Sequence, residues 1–225
     1  MTSFPFDIVG FDLDGTLLDS LGDLAHAVNH ALALEGRRAV PRDEVRGFVG
    51  GGARKMLANA LLATGGAVEE KRFEQLHAAL LEYYTANIAV ETRLFAGGEA
   101  MLDALAARGA KLAVVTNKLE HLAVKIFAEL GLSERFYTVI GGDTLGPGRA
   151  KPRPDLIQLM VERGGGGRGA YVGDTSYDTR AAAAAGLPCV AVAFGFNDLA
   201  PEELGAAAVI GHFDELVPAL ERIGS

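Results

Sequence analysis

The chain alternates short apolar runs with segments in which apolar residues recur every three or four positions. Six runs are rich in Val, Ile, Ala and Phe, and they cover residues 6–11, 112–116, 137–140, 170–172, 188–194 and 207–210. Strands that are apolar on both faces and alternate with helices are typical of a parallel sheet covered on both sides. The pattern therefore predicts an α/β protein with a doubly wound, Rossmann-like parallel sheet.

Residues 19–90 interrupt this alternation, because they contain no comparable apolar run. Apolar residues from Leu21 to Leu32 follow helical spacing, and Ser20 followed by Asp23 resembles a capping box. Further helices are predicted near residues 54–63 and 69–87. We predict an all-helical cap domain over residues 19–90, inserted into a catalytic core made of residues 1–18 and 91–225, and we expect the cap to select the substrate.

Composition narrows the classes of function. The formal charge of −8, without a basic stripe, argues against a nucleic-acid surface. The single cysteine, Cys189, lies in an apolar run and is predicted to be a buried hydrophobic residue. No apolar stretch is long enough to cross a membrane, and no basic region precedes an apolar run at the amino terminus. We expect a cytoplasmic protein with no membrane or nucleic-acid partner, as a monomer or homodimer.

Two acidic residues stand two positions apart where the first apolar run ends, in Phe11-Asp12-Leu13-Asp14-Gly15-Thr16. Because successive side chains of a strand point to opposite faces, Asp12 and Asp14 would share a face. Neighbouring carboxylates repel one another, and burial strengthens the repulsion unless a cation lies between them. The pair therefore predicts a bound metal ion.

Other polar residues also follow predicted strands, at the edge of a parallel sheet where ligands bind. They are Thr116 and Asn117 after the second run, Lys151 in the loop after the third, and Asp174 and Asp178 after the fourth. Taken alone, Asp174 and Asp178 would also suit an ordinary turn and helix cap, and Lys151 a solvated loop. Their order along the chain favours a shared site.

In this order the motifs resemble those of the haloacid dehalogenase-like hydrolases: D-x-D-G-T, a strand-end Thr, a downstream Lys-Pro and G-D-x-x-x-D. The resemblance implies a phosphate-ester hydrolase in which Asp12 is the nucleophile and Asp14 the general acid and base. It also implies that Mg²⁺ binds Asp12, the Asp14 backbone carbonyl and Asp174, with Asp178 as a ligand or a residue that orients the ligands. Thr116, Asn117 and Lys151 would hold the phosphoryl group.

Within that superfamily, the segments 48–53, 115–118 and 141–145 resemble phosphoglycolate phosphatases. A small phosphorylated metabolite, 2-phosphoglycolate above all, is therefore the expected substrate. The loop of Gly51 and Gly52 precedes a predicted helix that begins near Arg54. A helix N-terminus and a nearby cation can receive an anion, so we expect this loop and Arg54 to bind the substrate's carboxylate.

Several other functions fit the sequence less well. A pyrophosphatase or sugar-phosphate phosphatase with the same cap would carry the same motifs, and a mutase resembling β-phosphoglucomutase usually has Val where Thr16 stands. A catalytically silent phosphate-binding module would not need all the acidic residues. Tyr177 precedes the last Asp of the G-D-x-x-x-D motif, a position where Asn is common in similar proteins. This difference predicts an altered environment of the metal. His26 and His30 are four residues apart but lack the Glu of a zinc protease motif.

Overall fold

The computed structural model describes residues 4–225. In chain order the elements are β1 (Ile8–Phe11), β2 (Leu18–Asp19), α1 (Leu21–Ala33), α2 (Arg42–Arg46), α3 (Ala53–Thr64), α4 (Glu70–Ala86), β3 (Arg93–Leu94), α5 (Gly98–Ala106), β4 (Lys111–Val115), α6 (Glu120–Glu129), β5 (Thr138–Ile140), α7 (Asp155–Arg163), β6 (Gly169–Gly173), α8 (Ser176–Ala184), β7 (Cys189–Val192), β8 (Ala208–Ile210) and α9 (Leu216–Ile223). Short 3-10 helices join some of them.

The main sheet has six strands in the order β5-β4-β1-β6-β7-β8, and every neighbouring pair is parallel. These are the six strands that the apolar runs predict, so the α/β prediction is confirmed. The chain leaves β1 toward β4 on one side and later returns to β6 on the other. Such a reversal of strand order opens a crevice at the carboxyl ends of the strands. The residues that follow β1, β4 and β6 therefore meet at one place.

Helices cover both faces of the sheet. Along β1, Val9 and Phe11 belong to one buried core, and Ile8 belongs to the other. The first core includes apolar side chains of α5, α6 and α9, and the second includes those of α7 and α8. Cys189 is buried in the second core, as its apolar run predicts. The strands are apolar on both faces because neither face reaches solvent.

The segment between β2 and β3 folds into the four helices α1, α2, α3 and α4. The two strands pair antiparallel, Leu18 with Leu94 and Asp19 with Arg93, so the chain leaves and re-enters the core at one point. Helix α1 packs against α4 along much of its length. None of the helices within residues 4–225 is long and apolar enough to span a membrane.

The predicted capping box at the start of α1 is wrong. Ser20 makes no capping bond, and its hydroxyl donates instead to Asp14 at 2.6 Å. Asp23 is buried and accepts bonds from the backbone N–H groups of Glu91 and Thr92 and from the Thr92 hydroxyl. A capping box would offer the Asp23 side chain only the Ser20 N–H, whereas the returning chain offers three donor groups, which explains the difference. Both residues therefore fix the helical segment to the core.

Candidate active site

Lys151 lies at the centre of the polar cluster beside the end of β1. Its Nζ is 2.9 Å from Asp12 Oδ1 and 2.6 Å from Asp178 Oδ1. It also donates to the Val115 carbonyl at 3.0 Å and to the Tyr171 hydroxyl at 2.9 Å. Burial alone would lower the pKa of Lys151, but the carboxylates of Asp12 and Asp178 outweigh burial and raise it. Lys151 is therefore a buried cation tied to two carboxylates.

Three buried carboxylates form a cluster, and two of them, Asp12 and Asp178, contact Lys151. Asp12, Asp174 and Asp178 each offer an oxygen atom within 4.8 Å of the others. Burial raises the pKa of Asp12 to about 6 although Lys151 opposes it, and burial together with Asp178 and Asp12 raises the pKa of Asp174 well above its ordinary value. One lysine does not balance three carboxylates. An all-oxygen set with this excess of negative charge suits a hard divalent cation, so the cluster could hold a metal ion.

Asp178 supports its neighbours through both of its oxygen atoms. While Oδ1 accepts from Lys151, Oδ2 accepts from the Asp174 N–H at 3.3 Å, the Thr175 N–H at 3.0 Å and the Thr175 hydroxyl at 2.6 Å. Asp178 therefore completes the capping box of helix α8, in which Thr175 is the N-cap, and also orients Lys151 and the loop that carries Asp174. Its cap role and its place in the cluster are compatible. Whether it also binds a metal directly stays a prediction.

Two residues that sequence reasoning missed hold Asp14. The Ser20 hydroxyl donates to Oδ1, and Lys118 Nζ lies 2.9 Å from Oδ1 and 2.7 Å from Oδ2. Burial alone would lower the pKa of Lys118, but Asp14 and then Tyr84 outweigh it and raise the pKa. One feature of the sequence could have indicated that Lys118 belongs to the site: it follows Thr116 by two residues and therefore lies at the same edge of the sheet. Ser20 gave a misleading signal, because it also suits a helix cap.

A tight turn at Gly15 brings the chain after Asp14 against Asp174. Gly15 has φ of 88°, in the region that favours glycine, and a Cβ there would collide with the Asp174 carboxylate. The Thr16 hydroxyl donates to Asp174 Oδ1 at 2.7 Å, and the Phe196 N–H donates to Oδ2 at the same distance. The D-x-D-G-T run therefore places the first two acidic residues and also fixes the third.

A small cavity lies between this sheet edge and helices α1, α3 and α4. Its volume is about 50 Å³, whereas one water molecule needs roughly 10–15 Å³ on this measure. The space therefore suits a small ligand. Its lining combines the polar residues of the sheet edge with apolar residues of the helical segment: Asp12, Asp14, Leu24, Val49, Gly50, Gly52, Ala53, Met56, Leu80, Leu81, Tyr84, Thr116, Asn117, Lys118, Leu119 and Leu122.

The glycine loop only partly meets its prediction. Gly52 lines the cavity with φ of 84°, and the Asn117 side-chain amide donates to the Gly50 carbonyl at 2.9 Å and to the Lys151 carbonyl at 3.1 Å. Gly51 lies outside the cavity lining. Asn117 thus joins the loop to the sheet edge through its side chain. Binding of a phosphoryl group by Asn117 or Thr116, both in the lining, stays a prediction.

Arg54 is not part of the cavity lining, and its binding of a substrate carboxylate stays a prediction. Its guanidinium lies 2.7 Å from Glu70 and 2.5 Å from Glu74, and it stacks over the Phe73 ring at 4.8 Å. About half of the side chain is exposed. Its observed partners are the acidic residues of α4. Arg54 instead ties α3 to α4.

Tyr177 contacts the helical segment, and its predicted effect on the surrounding of the metal stays a prediction. Its hydroxyl contacts Lys55 Nζ of helix α3, and the same ammonium lies 5.0 Å from the centre of the Tyr177 ring. The Tyr177 side chain therefore meets helix α3 of the helical segment. The Arg46 guanidinium makes a second contact of this kind, donating to the Gly195 carbonyl at 2.9 Å. Tyr177 therefore serves the junction between the helices and the sheet edge.

Comparison with known proteins agrees with this geometry. The family model described as haloacid dehalogenase-like hydrolase matches residues 9–192, and the chain belongs to this family. Proteins named phosphoglycolate phosphatase are similar over nearly the whole length. The one from Agrobacterium fabrum is 37% identical, covering 98% of this chain and 95% of its own. The one from Caulobacter vibrioides is 39% identical, covering 91% and 86%.

A solved structure extends the likeness to three dimensions. It is described as a predicted phosphoglycolate phosphatase from Haemophilus somnus, and it is 29% identical with a TM-score of 0.89. The match covers 97% of this chain and 98% of that one. The fold and the arrangement of strands are therefore those of the family, and the chain is a phosphatase.

Proposed function

We propose that the protein is a Mg²⁺-dependent phosphatase that hydrolyses 2-phosphoglycolate to glycolate and phosphate through an aspartyl-phosphate. The observation that carries the reaction is the pair of carboxylates in one cavity, Asp12 bound to Lys151 and Asp14 held by Ser20 and Lys118. The two acidic groups lie side by side but have different partners. That difference supports two different roles.

In the first step Asp12 attacks phosphorus, and the bond from phosphorus to the leaving alkoxide oxygen breaks. Asp14 delivers a proton to that oxygen. In the second step water attacks the phosphorus of the aspartyl-phosphate, Asp14 takes the proton from the water, and Asp12 is released with inorganic phosphate. Splitting one difficult hydrolysis into two steps lowers each barrier. Thr116 and Lys151 would hold the phosphoryl oxygens in line with Asp12.

The carboxylate cluster supports a magnesium requirement. Asp12 and Asp174, with the Asp14 backbone carbonyl, would hold the ion, and Asp178 would orient Asp174 and Lys151. When bound, Mg²⁺ supplies positive charge that allows an anionic phosphate to approach an anionic nucleophile. Burial, and then the charges of Asp178 and Asp12, raise the pKa of Asp174, and a bound cation would oppose this.

We further propose that residues 19–90 form a cap that selects the substrate. The helices of this segment provide the apolar wall of the cavity, and Arg46, Gly50 and Lys55 contact the sheet edge. The small cavity and the names of the relatives support phosphoglycolate over the larger sugar phosphates. Pyrophosphate is the second small candidate.

The test measures kcat/KM for phosphoglycolate, pyrophosphate and sugar phosphates, with Mg²⁺ and with chelator. We expect phosphoglycolate to be preferred and Asp12→Asn to lower phosphate release by roughly 10⁴-fold or more, because the nucleophile is lost. Asp7→Asn is the matched control, since Asp7 precedes the same strand at its far end and bonds the Arg168 N–H. A tenfold higher kcat/KM for a sugar phosphate, about 1.4 kcal/mol in transition-state free energy, would show that phosphoglycolate is not the substrate. Phosphate release that does not depend on Mg²⁺ would contradict the mechanism.

A further inference from the structure

The cavity has an uneven distribution of charge. Two carboxylates, Asp12 and Asp14, belong to its lining, and among the described residues of that lining Lys118 is the one cationic side chain. Arg54 is turned toward α4, and Lys55 toward Tyr177. A substrate with a second negative group would be repelled by the carboxylates unless that group reached Lys118.

Lys118 retains the capacity to bind such a group. Its side chain is almost completely buried, and its ammonium contacts both oxygen atoms of Asp14. An ammonium has three N–H donors, and the two contacts to Asp14 leave one of them for the neighbouring Tyr84 hydroxyl or for a ligand. Lys118 can therefore hold Asp14 and an anion at the same time.

Tyr84 lies next to Lys118 and has an unused hydroxyl. The ring centre is 4.6 Å from Lys118 Nζ, and the residue is only 2% exposed. The Tyr84 hydroxyl oxygen is buried and has no hydrogen-bond partner among the described residues. Leaving a buried hydroxyl unpaired is destabilising, and Tyr84 is part of the cavity lining. A ligand with an acceptor oxygen would remove this cost.

We propose that Lys118 and the Tyr84 hydroxyl together bind the carboxylate of the substrate and so determine which substrate the enzyme prefers. The inference rests on the proposed function and names the residues that recognise the carboxylate group of phosphoglycolate. In that molecule the carboxylate carbon is two bonds from the bridging oxygen. Asp14 serves the bridging oxygen, so the cation that contacts Asp14 lies on the side where the carboxylate must go. This assignment replaces Arg54.

The test compares phosphoglycolate with 2-hydroxyethyl phosphate, in which a neutral alcohol replaces the carboxylate. Tyr84→Phe should lower kcat/KM for phosphoglycolate about tenfold or more, because a hydrogen bond to a charged group is lost, and should lower it far less for the neutral substrate. Tyr83→Phe is the matched control, because Tyr83 is next in the chain and stacks on His30 outside the cavity. Lys118→Met should reduce the preference for the carboxylate further, with Lys125→Met, an exposed lysine of α6, as its control.

The outcomes separate the two proposals. If the wild type shows no preference for phosphoglycolate over the neutral ester, the proposed substrate is wrong. If the wild type prefers phosphoglycolate but Tyr84→Phe lowers kcat/KM equally for phosphoglycolate and the neutral ester, the proposed carboxylate site is wrong. The site is also wrong if Arg54→Ala abolishes the preference for phosphoglycolate. Inhibition of the wild type gives a readout that does not depend on any variant folding. Glycolate should inhibit at least tenfold more strongly than ethylene glycol, and equal inhibition would overturn the carboxylate site.

Discussion

The two walls of the cavity use their charged residues in opposite ways. On the sheet edge, Lys151 and Asp178 are buried, face the reacting groups and have several partners each. On the helical wall, Arg54 and Lys55 point away and join elements together, while the surface toward the cavity is mostly apolar. The comparison teaches that charge near an active site is not itself evidence of catalysis. The partners of each charge decide its role.

Among the tests of this contrast, the largest effect is expected at the sheet edge, from Lys151→Met. Removing the cation leaves Asp12 and Asp178 buried without compensation, which should lower the free energy of unfolding by about 3–5 kcal/mol in the presence of chelator. Loss of a group that holds the phosphoryl oxygens should lower kcat/KM by roughly 10²–10³-fold. Urea unfolding and steady-state kinetics measure the two effects.

Lys111→Met provides the control for that substitution. Lys111 begins β4 at the opposite end of the sheet and donates to the Gly164 carbonyl, so it should change kcat/KM by less than about twofold. Activity of Lys151→Met within tenfold of the wild type would show that the buried cation is structural and would remove the contrast between the walls.

A smaller effect should follow from Asp178→Asn, which keeps the size of the side chain. The change weakens the pairing with Lys151 and the bonds that fix the Asp174 loop. Residues that orient metal ligands typically change metal affinity 10–100-fold, so the Mg²⁺ concentration for half-maximal activity should rise by about that factor. Asp198→Asn is the control, because Asp198 bonds Ser176 at the start of the same helix but lies outside the carboxylate cluster. An unchanged Mg²⁺ dependence would contradict the orienting role.

The same contrast explains what could be predicted from the sequence. The six strands follow from runs that are apolar on both faces, and Asp12, Lys151 and Asp174 follow from their positions after strands. The sequence did not predict roles that depend on partners far away along the chain. Lys118 and Asp14 are 104 residues apart, and Arg54 finds its partners on another helix. No local pattern indicates which of two nearby groups a long, flexible side chain will choose.

The smallest effect concerns titration on the helical wall. Burial, and then the charge of Arg54, lowers the pKa of His77 below its ordinary value of 6.5, with Glu74 opposing them. The unfolded chain therefore binds more protons than the folded chain, and the free energy of unfolding falls as the pH drops below about 6.5. The free energy of unfolding should fall less between about pH 8 and about pH 5 in His77→Gln than in the wild type, because the contribution of His77 is removed. Because His77 is partly exposed and solvent screens its charge, the difference should be only about a few tenths of a kcal/mol. Urea unfolding at both pH values measures it, and the pH profile of kcat/KM should stay the same as in the wild type. A shifted profile would mean that titration on the helical wall reaches the reacting groups, and the two walls would no longer be independent.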